Sequence, residues 1–194
     1  MDRIIKSLIS TSFNSNTHIL MNNKYAIIFD CGASLNDVKN VIGKRTVLCV
    51  FITHSHFDHI LNLNEYVKEF DCDVYVSKNG EEKFYDATKN LSNLFLNKKL
   101  ELNRIGKVKY LKDNTLLKIE DFNILCLQVK GHSNCSFAFL VDEKLISGDL
   151  IFENGIGRYD FYDGNYNSLL ESIKKVKALK ANLILAGHGN NFKL

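Results

Sequence analysis

Three histidines and an aspartate fall within six residues, His54-Ser55-His56-Phe57-Asp58-His59, in a chain with six histidines in all. At this chain's own His and Asp frequencies, chance produces H-x-H-x-D-H with a probability of about four in ten thousand. A loop with that spacing can aim His54 and His56 at one metal ion while Asp58 and His59 reach a neighbouring one. Imidazole with carboxylate suits zinc, iron or manganese, whereas calcium would call for oxygen ligands alone. One loop cannot saturate two ions, so further ligands are expected elsewhere. The candidates are His132 in Lys130-Gly131-His132-Ser133, Asp149 in Ser147-Gly148-Asp149, and His188 in Gly187-His188-Gly189. Any one of these histidines alone would read as an ordinary surface residue. Five of six at strand ends, with glycine beside each outlying candidate, read as a metal site.

The elements that must position these residues follow from periodicity. Arg3 to Ile9, Thr17 to Met21 and Tyr25 to Asp30 are β-type runs broken by Asn/Ser-rich turns. A short helix is expected after Ser34, which can cap it. Thr46 to Thr53 is a continuous apolar run, the pattern of a strand covered on both faces, and it leads directly into His54. Ile60 to Phe70 has helical spacing. A strand is expected at Asp73 to Val76 and a helix at Asn79 to Asn90. Five further strands are expected: Val108 to Leu111, Leu116 to Ile119, Phe122 to Val129, Ser136 to Val141 and Lys144 to Ser147. An amphipathic helix, Tyr166 to Lys180, carries Leu169, Leu170, Ile173, Val176 and Leu179 on one face. The last strand, Leu183 to Ala186, ends at the Gly187-His188-Gly189 turn. Strand-rich halves that each carry helices predict a layered α/β sandwich.

Length and composition agree with one globular domain over residues 1–194. The chain is 45% hydrophobic and 24% charged, enough for one well-buried core and short for two ordinary domains. No run of eighteen apolar residues is present, so no membrane span is expected. The first residues lack an apolar h-region and a cleavage site, so no secretory signal is expected. Five cysteines, odd in number and without a Cys-x-x-Cys pair, read as packed, reduced thiols of a cytoplasmic protein. A net charge of +3, from 25 basic and 22 acidic residues, gives no push toward nucleic acid or an anionic membrane.

Taken in order, Asp30-Cys31-Gly32, His54-x-His56-x-Asp58-His59, Gly131-His132-Ser133, Gly148-Asp149 and Gly187-His188-Gly189 resemble the metallo-β-lactamase fold superfamily across nearly the whole chain. The resemblance implies a four-layer αββα sandwich with a binuclear site at one edge. It implies that His54, His56 and His132 bind the first metal, that Asp58, His59 and His188 bind the second, and that Asp149 bridges them. Well-known zinc β-lactamases use a Cys where this chain has Asp149, so antibiotic hydrolysis is not the default expectation. A finer likeness, in Gly155-Ile156-Gly157-Arg158-Tyr159-Asp160-Phe161, Gly164 and the helix that follows, is to short members of the glyoxalase II (hydroxyacylglutathione hydrolase) branch. It extends to the related persulfide dioxygenases. In that branch the Arg-x-Asp segment, here Arg158 and Asp160, supports the ligating imidazoles from behind. The chain departs from the pattern at Lys130, where a Pro is usual, and at Cys135, where a Gly is usual; Cys135 is expected to be a packed thiol. Full-length glyoxalase II has a helical segment supplying basic residues for glutathione. Only six residues follow His188 here, so the thiol carrier stays open.

The expected chemistry is hydrolytic. Two divalent ions about 3.5–4 Å apart can bridge a water and lower its pKa toward about 7. The expected cofactors are two such ions, zinc first, with iron or manganese as alternatives. The bridging hydroxide, rather than any side chain, is the expected nucleophile on an acyl carbonyl, with Asp58 orienting it. A thioester carried on a small thiol is the expected substrate, because a thiolate leaves with little protonation. Sulfur dioxygenation at a single iron is the second reading. Phosphodiester cleavage is the third, but the lysines are dispersed, and Lys174-Lys175-Val176-Lys177 with Lys180 reads as a solvated face. No membrane or nucleic-acid partner is expected, and His18 is expected to be structural.

Overall fold

The computed structural model describes residues 3–193. The chain divides into two compact units, Met1–Tyr110 and Leu111–Leu194. In the first, β1 (Ile4–Ile9), β2 (Asn16–Met21), β3 (Tyr25–Phe29), β4 (Thr46–Phe51), β5 (Asp73–Val76) and β6 (Val108–Tyr110) form one sheet in chain order. The first three strands pair antiparallel, and β3 to β6 pair parallel. Parallel neighbours need crossovers. Those around β4 carry α1 (Leu35–Ile42), α2 (Phe57–Ile60) and α3 (Leu63–Phe70). Ser34 caps α1 as expected, its Oγ accepting from the Asp37 amide at 3.2 Å.

Val38 and Ile42 of α1 and Leu63 and Tyr66 of α3 pack with Ile19, Ile28, Val50 and Val74 in one cluster. The alternate residues Ile27, Phe29 and Phe51 are buried too, with Phe29, Phe51 and Tyr75 stacked at 5.3 and 4.7 Å. Both faces of β4 are therefore apolar, which is why its sequence is a continuous run.

Two helices expected here differ. The Asn79 to Asn90 segment breaks into α4 (Lys78–Glu81), a 3-10 turn at Glu82–Tyr85 and irregular backbone before α5 (Ser92–Phe95). Asp86 Oδ1 accepts from the amides of Thr88 and Lys89, and the Asn90 side chain donates to the carbonyls of Lys83 and Leu100. Short polar side chains bonded to nearby backbone compete with helix. The helix expected from Ile60 begins at Leu63, because Asn62 turns its side-chain amide to the carbonyls of Gly32 and Ala33.

The second unit holds β7 (Thr115–Ile119), β8 (Phe122–Gln128), β9 (Phe137–Val141) and β10 (Lys144–Gly148). A small hairpin of β11 (Ile151–Phe152) and β12 (Gly155–Ile156) follows, then α6 (Tyr166–Lys177) and β13 (Leu183–Ala186). Its five-stranded sheet runs β13-β10-β9-β8-β7. Leu169, Ile173 and Val176 of α6 pack with Leu127, Ala138, Leu145 and Ile184. Leu170, expected on that face, is 43% exposed; it lies about 100° around the helix from Leu169. Asn165 caps α6 by accepting from the Ser168 amide, and Lys174, Lys175 and Lys177 occupy its last turn, where cations oppose the helix dipole.

β10 and β13 are parallel, with a register shift between Ile146 and Gly148 that pairs Gly148 with Ala186. Each unit thus holds one main sheet with helices packed on it, the α/β composition expected. Among the described residues no helix is long and apolar enough to cross a membrane.

Candidate metal centre

In the first unit the cluster lies just past the C-terminal end of β4, within a parallel set of strands, where open α/β sheets present ligand-binding groups. Every residue from Phe51 to Ile60 is buried, with His54 1%, His56 4%, Asp58 9% and His59 0% exposed. Polar groups this buried must be bonded or must bind something. The ligand-capable atoms of His54 and His56, of His54 and His59, and of Asp58 and His59 come within 4.8 Å of one another.

Hydrogen-bond accounting fixes which nitrogens face outward. Asp30, at φ +63° just past β3, accepts from the Thr53 amide (2.7 Å), from Thr53 Oγ1 (2.7 Å) and from His59 Nδ1 (2.7 Å). A carboxylate only accepts, so His59 carries its proton on Nδ1 and presents the Nε2 lone pair. Thr53 Oγ1 spends its one hydrogen on Asp30, so at 3.1 Å it accepts from His54 Nδ1, and His54 also presents Nε2. One buried carboxylate therefore sets two tautomers, one directly and one through a hydroxyl. Ser15 Oγ donates to the Asp58 carbonyl at 2.8 Å and holds the loop from below.

In the second unit His132 Nδ1 donates to the Arg158 carbonyl at 2.7 Å, which leaves Nε2 as its ligand atom. Asp149 Oδ2 lies 3.6 Å from His132 Nε2 and 3.5 Å from His188 Nε2. These gaps are too long for hydrogen bonds. Two ligands about 2.0–2.1 Å from one tetrahedral ion stand about 3.4 Å apart, so the spacing suits atoms that share a metal. His59 Nε2 and Asp58 Oδ2 in the first unit repeat it, at 3.6 Å.

Two supports of His132 are only partly legible in sequence. Asp163 Oδ2 accepts from Ser133 Oγ and from the Asn134 amide, both at 3.0 Å, and so shapes the loop. A Cβ at Gly157 would stand 1.8 Å from the Asp149 carbonyl oxygen and 3.3 Å from His132 Cβ, so only glycine fits there. Arg158 reaches His132 through its carbonyl. Its guanidinium is exposed, bonds Asp160 at 2.9 and 2.7 Å and lies over the Phe161 ring. That pairing pushes the Arg158 pKa up and holds Asp160 below the usual carboxylate value.

Asp30 and Asp163 had no role from spacing alone. A carboxylate at the end of a strand, followed by Cys-Gly, was the only available signal for Asp30. His18 is structural as expected, buried with Nδ1 at 2.8 Å from Ser7 Oγ. Cys135 is packed, 1% exposed, with Sγ at 3.1 Å from Ser133 Oγ, and all five cysteines are buried.

Residues 11–188 match the family described as the metallo-beta-lactamase superfamily. A probable metallo-hydrolase of Bacillus subtilis is 32% identical over 181 residues, covering 90% of this chain and 85% of that protein. A hydroxyacylglutathione hydrolase of Haemophilus influenzae is 26% identical over 188 residues, covering 93% of this chain and 88% of that protein. The crystal structure of the BLEG-1 B3 metallo-beta-lactamase superimposes with a TM-score of 0.92 at 26% identity, over 98% of this chain and 94% of that one.

Proposed function

The chain belongs to the metallo-beta-lactamase superfamily, a family of metal-dependent hydrolases with the metallo-beta-lactamase fold, and we propose that its own reaction is the hydrolysis of a thioester at a binuclear site. In this reading His54, His56 and His132 hold the first ion, Asp58, His59 and His188 hold the second, and Asp149 serves both. The donor set fits: imidazole nitrogens and carboxylate oxygens, largely buried, with Nδ1 of His54, His59 and His132 already committed as donors. Two divalent ions so held would supply hydroxide near neutral pH and polarise a carbonyl oxygen.

The chain's own residues do the rest. Asp30 keeps His54 and His59 in the ligating tautomer, and its charge offsets that of a cation bound beside them. Asp58, its backbone fixed by Ser15, offers a carboxylate to orient the attacking group. Burial of the loop keeps bulk water from the ligands. No acid is needed to protonate the leaving group when that group is a thiolate.

The observation that most supports the reading is Asp149 Oδ2 standing 3.5–3.6 Å from two imidazole nitrogens, a ligand–ligand spacing. The likeness to a hydroxyacylglutathione hydrolase supports the choice of thioester. Elemental mass spectrometry on protein purified without chelator tests the metal count. About two equivalents of zinc, or of a zinc–iron pair, are expected. A panel of thioesters, lactones and β-lactams then tests the substrate. One equivalent of iron with oxygen uptake on a persulfide, or cleavage of β-lactams but of no thioester, would overturn the reading.

A further inference from the structure

Phe57 stands between two proposed metal ligands, His56 and Asp58, and it is the middle rung of an aromatic ladder. Phe13, on the β1–β2 turn, meets it edge-on with centroids 4.8 Å apart, and Phe95 of α5 stacks on it at 5.6 Å and 21°. Phe57 itself is 6% exposed, but Phe95 is 49% and its neighbour Leu94 66% exposed. Phe95 and Leu94 are thus held out to solvent on a ladder whose middle rung lies in the metal loop. Exposed apolar groups concentrated beside a site mark what the site binds.

The segment that carries Leu94 and Phe95 is tied to the metal loop. The Phe57 amide donates to the Asn90 carbonyl at 2.9 Å. Asn90, fully buried, also donates to the carbonyls of Lys83 and Leu100 and accepts from the Ser92 amide. Leu91 is held at φ +68°, a conformation bulky side chains seldom adopt and one that clusters at binding elements.

We propose that the Phe13–Phe57–Phe95 ladder with Leu94 selects the acyl half of the substrate, favouring an extended aliphatic or aromatic acyl group over a small hydroxyacyl one. The inference rests on the thioester reading above. Of the two halves of a thioester, the biological thiol carrier is amide-rich and would find no hydrogen-bond partners on phenylalanine rings. The acyl half can be wholly apolar, and its carbonyl must reach the ligands that flank Phe57.

The test compares kcat/KM of metal-loaded protein for acetyl, hexanoyl and phenylacetyl thioesters of N-acetylcysteamine. The two larger acyl groups should be preferred at least about tenfold. Phe95→Ala should reduce the hexanoyl-to-acetyl ratio about tenfold, Leu94→Ala should reduce it less, and Phe95→Leu should keep most of it. A ratio indifferent to Phe95 overturns the proposal. If no thioester is cleaved, the functional reading fails separately, and calorimetry with the S-hexyl thioether of N-acetylcysteamine decides the surface. Binding weakened about tenfold by Phe95→Ala supports it; equal affinity, or no binding to the unsubstituted chain, overturns it.

Discussion

Replacing Asp30 with asparagine separates charge from shape behind the first unit's ligands. Asparagine keeps the volume and tolerates the positive φ, whereas alanine would add about 1–2 kcal/mol of backbone strain. The carboxylate accepts three bonds of 2.7 Å, from the Thr53 amide, Thr53 Oγ1 and His59 Nδ1. An amide must turn one of its two acceptor corners into a donor. If the NH2 faces the Thr53 amide, two buried donors oppose each other. If it faces His59, it donates to Nδ1 and drives the ring proton onto Nε2, removing the lone pair proposed to bind metal. Bonds to a charged acceptor are worth about 1.5–3 kcal/mol and an unsatisfied buried donor costs about 1–3 kcal/mol, so a stability loss of about 2–4 kcal/mol is expected. In the second arrangement, affinity for the ion His59 serves should also fall about 10–100-fold, or about 1.4–2.7 kcal/mol. Urea unfolding of the metal-free protein reads the first quantity, and zinc competition against a chromophoric chelator reads the second. An unchanged urea midpoint with both zinc affinities within about twofold would refute the tautomer argument.

Gly157→Ala forces a methyl into the Asp149 carbonyl and against His132; thermal unfolding should show a loss of about 1–3 kcal/mol, accompanied by less than full zinc loading. An unaltered Tm would mean that the hairpin simply moves aside. Asp163→Ala strips acceptors from Ser133 Oγ and the Asn134 amide, for about 1–3 kcal/mol per buried donor left unmade, and zinc titration should show weaker binding. All five thiols should resist a disulfide reagent at pH 8 in the native protein and react on unfolding. Burial pushes the Cys72 thiol up to about 11 and Cys126 to about 12. Their stabilising contribution is therefore full below about pH 9 and lost as pH rises through those values, so the urea midpoint should fall between pH 9 and 11.

Much of the framework is legible because both signals it depends on are local. The strand at Asp73 to Val76 and the termini of β13 are where alternation and turn residues put them, and the Ser34 cap is where a hydroxyl precedes a periodic run. The H-x-H-x-D-H spacing declares a metal loop for the same reason. What escapes is set by partners distant in sequence. The role of Asp30 is visible only when β3 and β4 lie side by side and bring it to Thr53 and His59. The break in the Asn79 to Asn90 helix comes from Asp86 and Asn90 bonding nearby backbone, a competition that hydrophobic periodicity does not register. The β11–β12 hairpin has two residues a side, too few to show alternation. Arg158 is marked by the likeness of its Arg-x-Asp segment to the glyoxalase II branch, yet it meets His132 through a carbonyl that any residue possesses.

The parallel pairing of β10 with β13 has a consequence for how this chain can vary in length. Asp149 and His188 emerge from the same end of adjacent strands, so their spacing is measured across one strand interval, about 4.8 Å, rather than along the polypeptide. Residues added to the Ala178–Asn182 connection would leave that interval untouched. A single deletion inside Leu183–Ala186 would draw His188 back by about 3.3 Å and turn it to the opposite face of the sheet. Descendants of this chain should accordingly accumulate insertions in the turn after α6, while the four-residue strand beside it keeps its length.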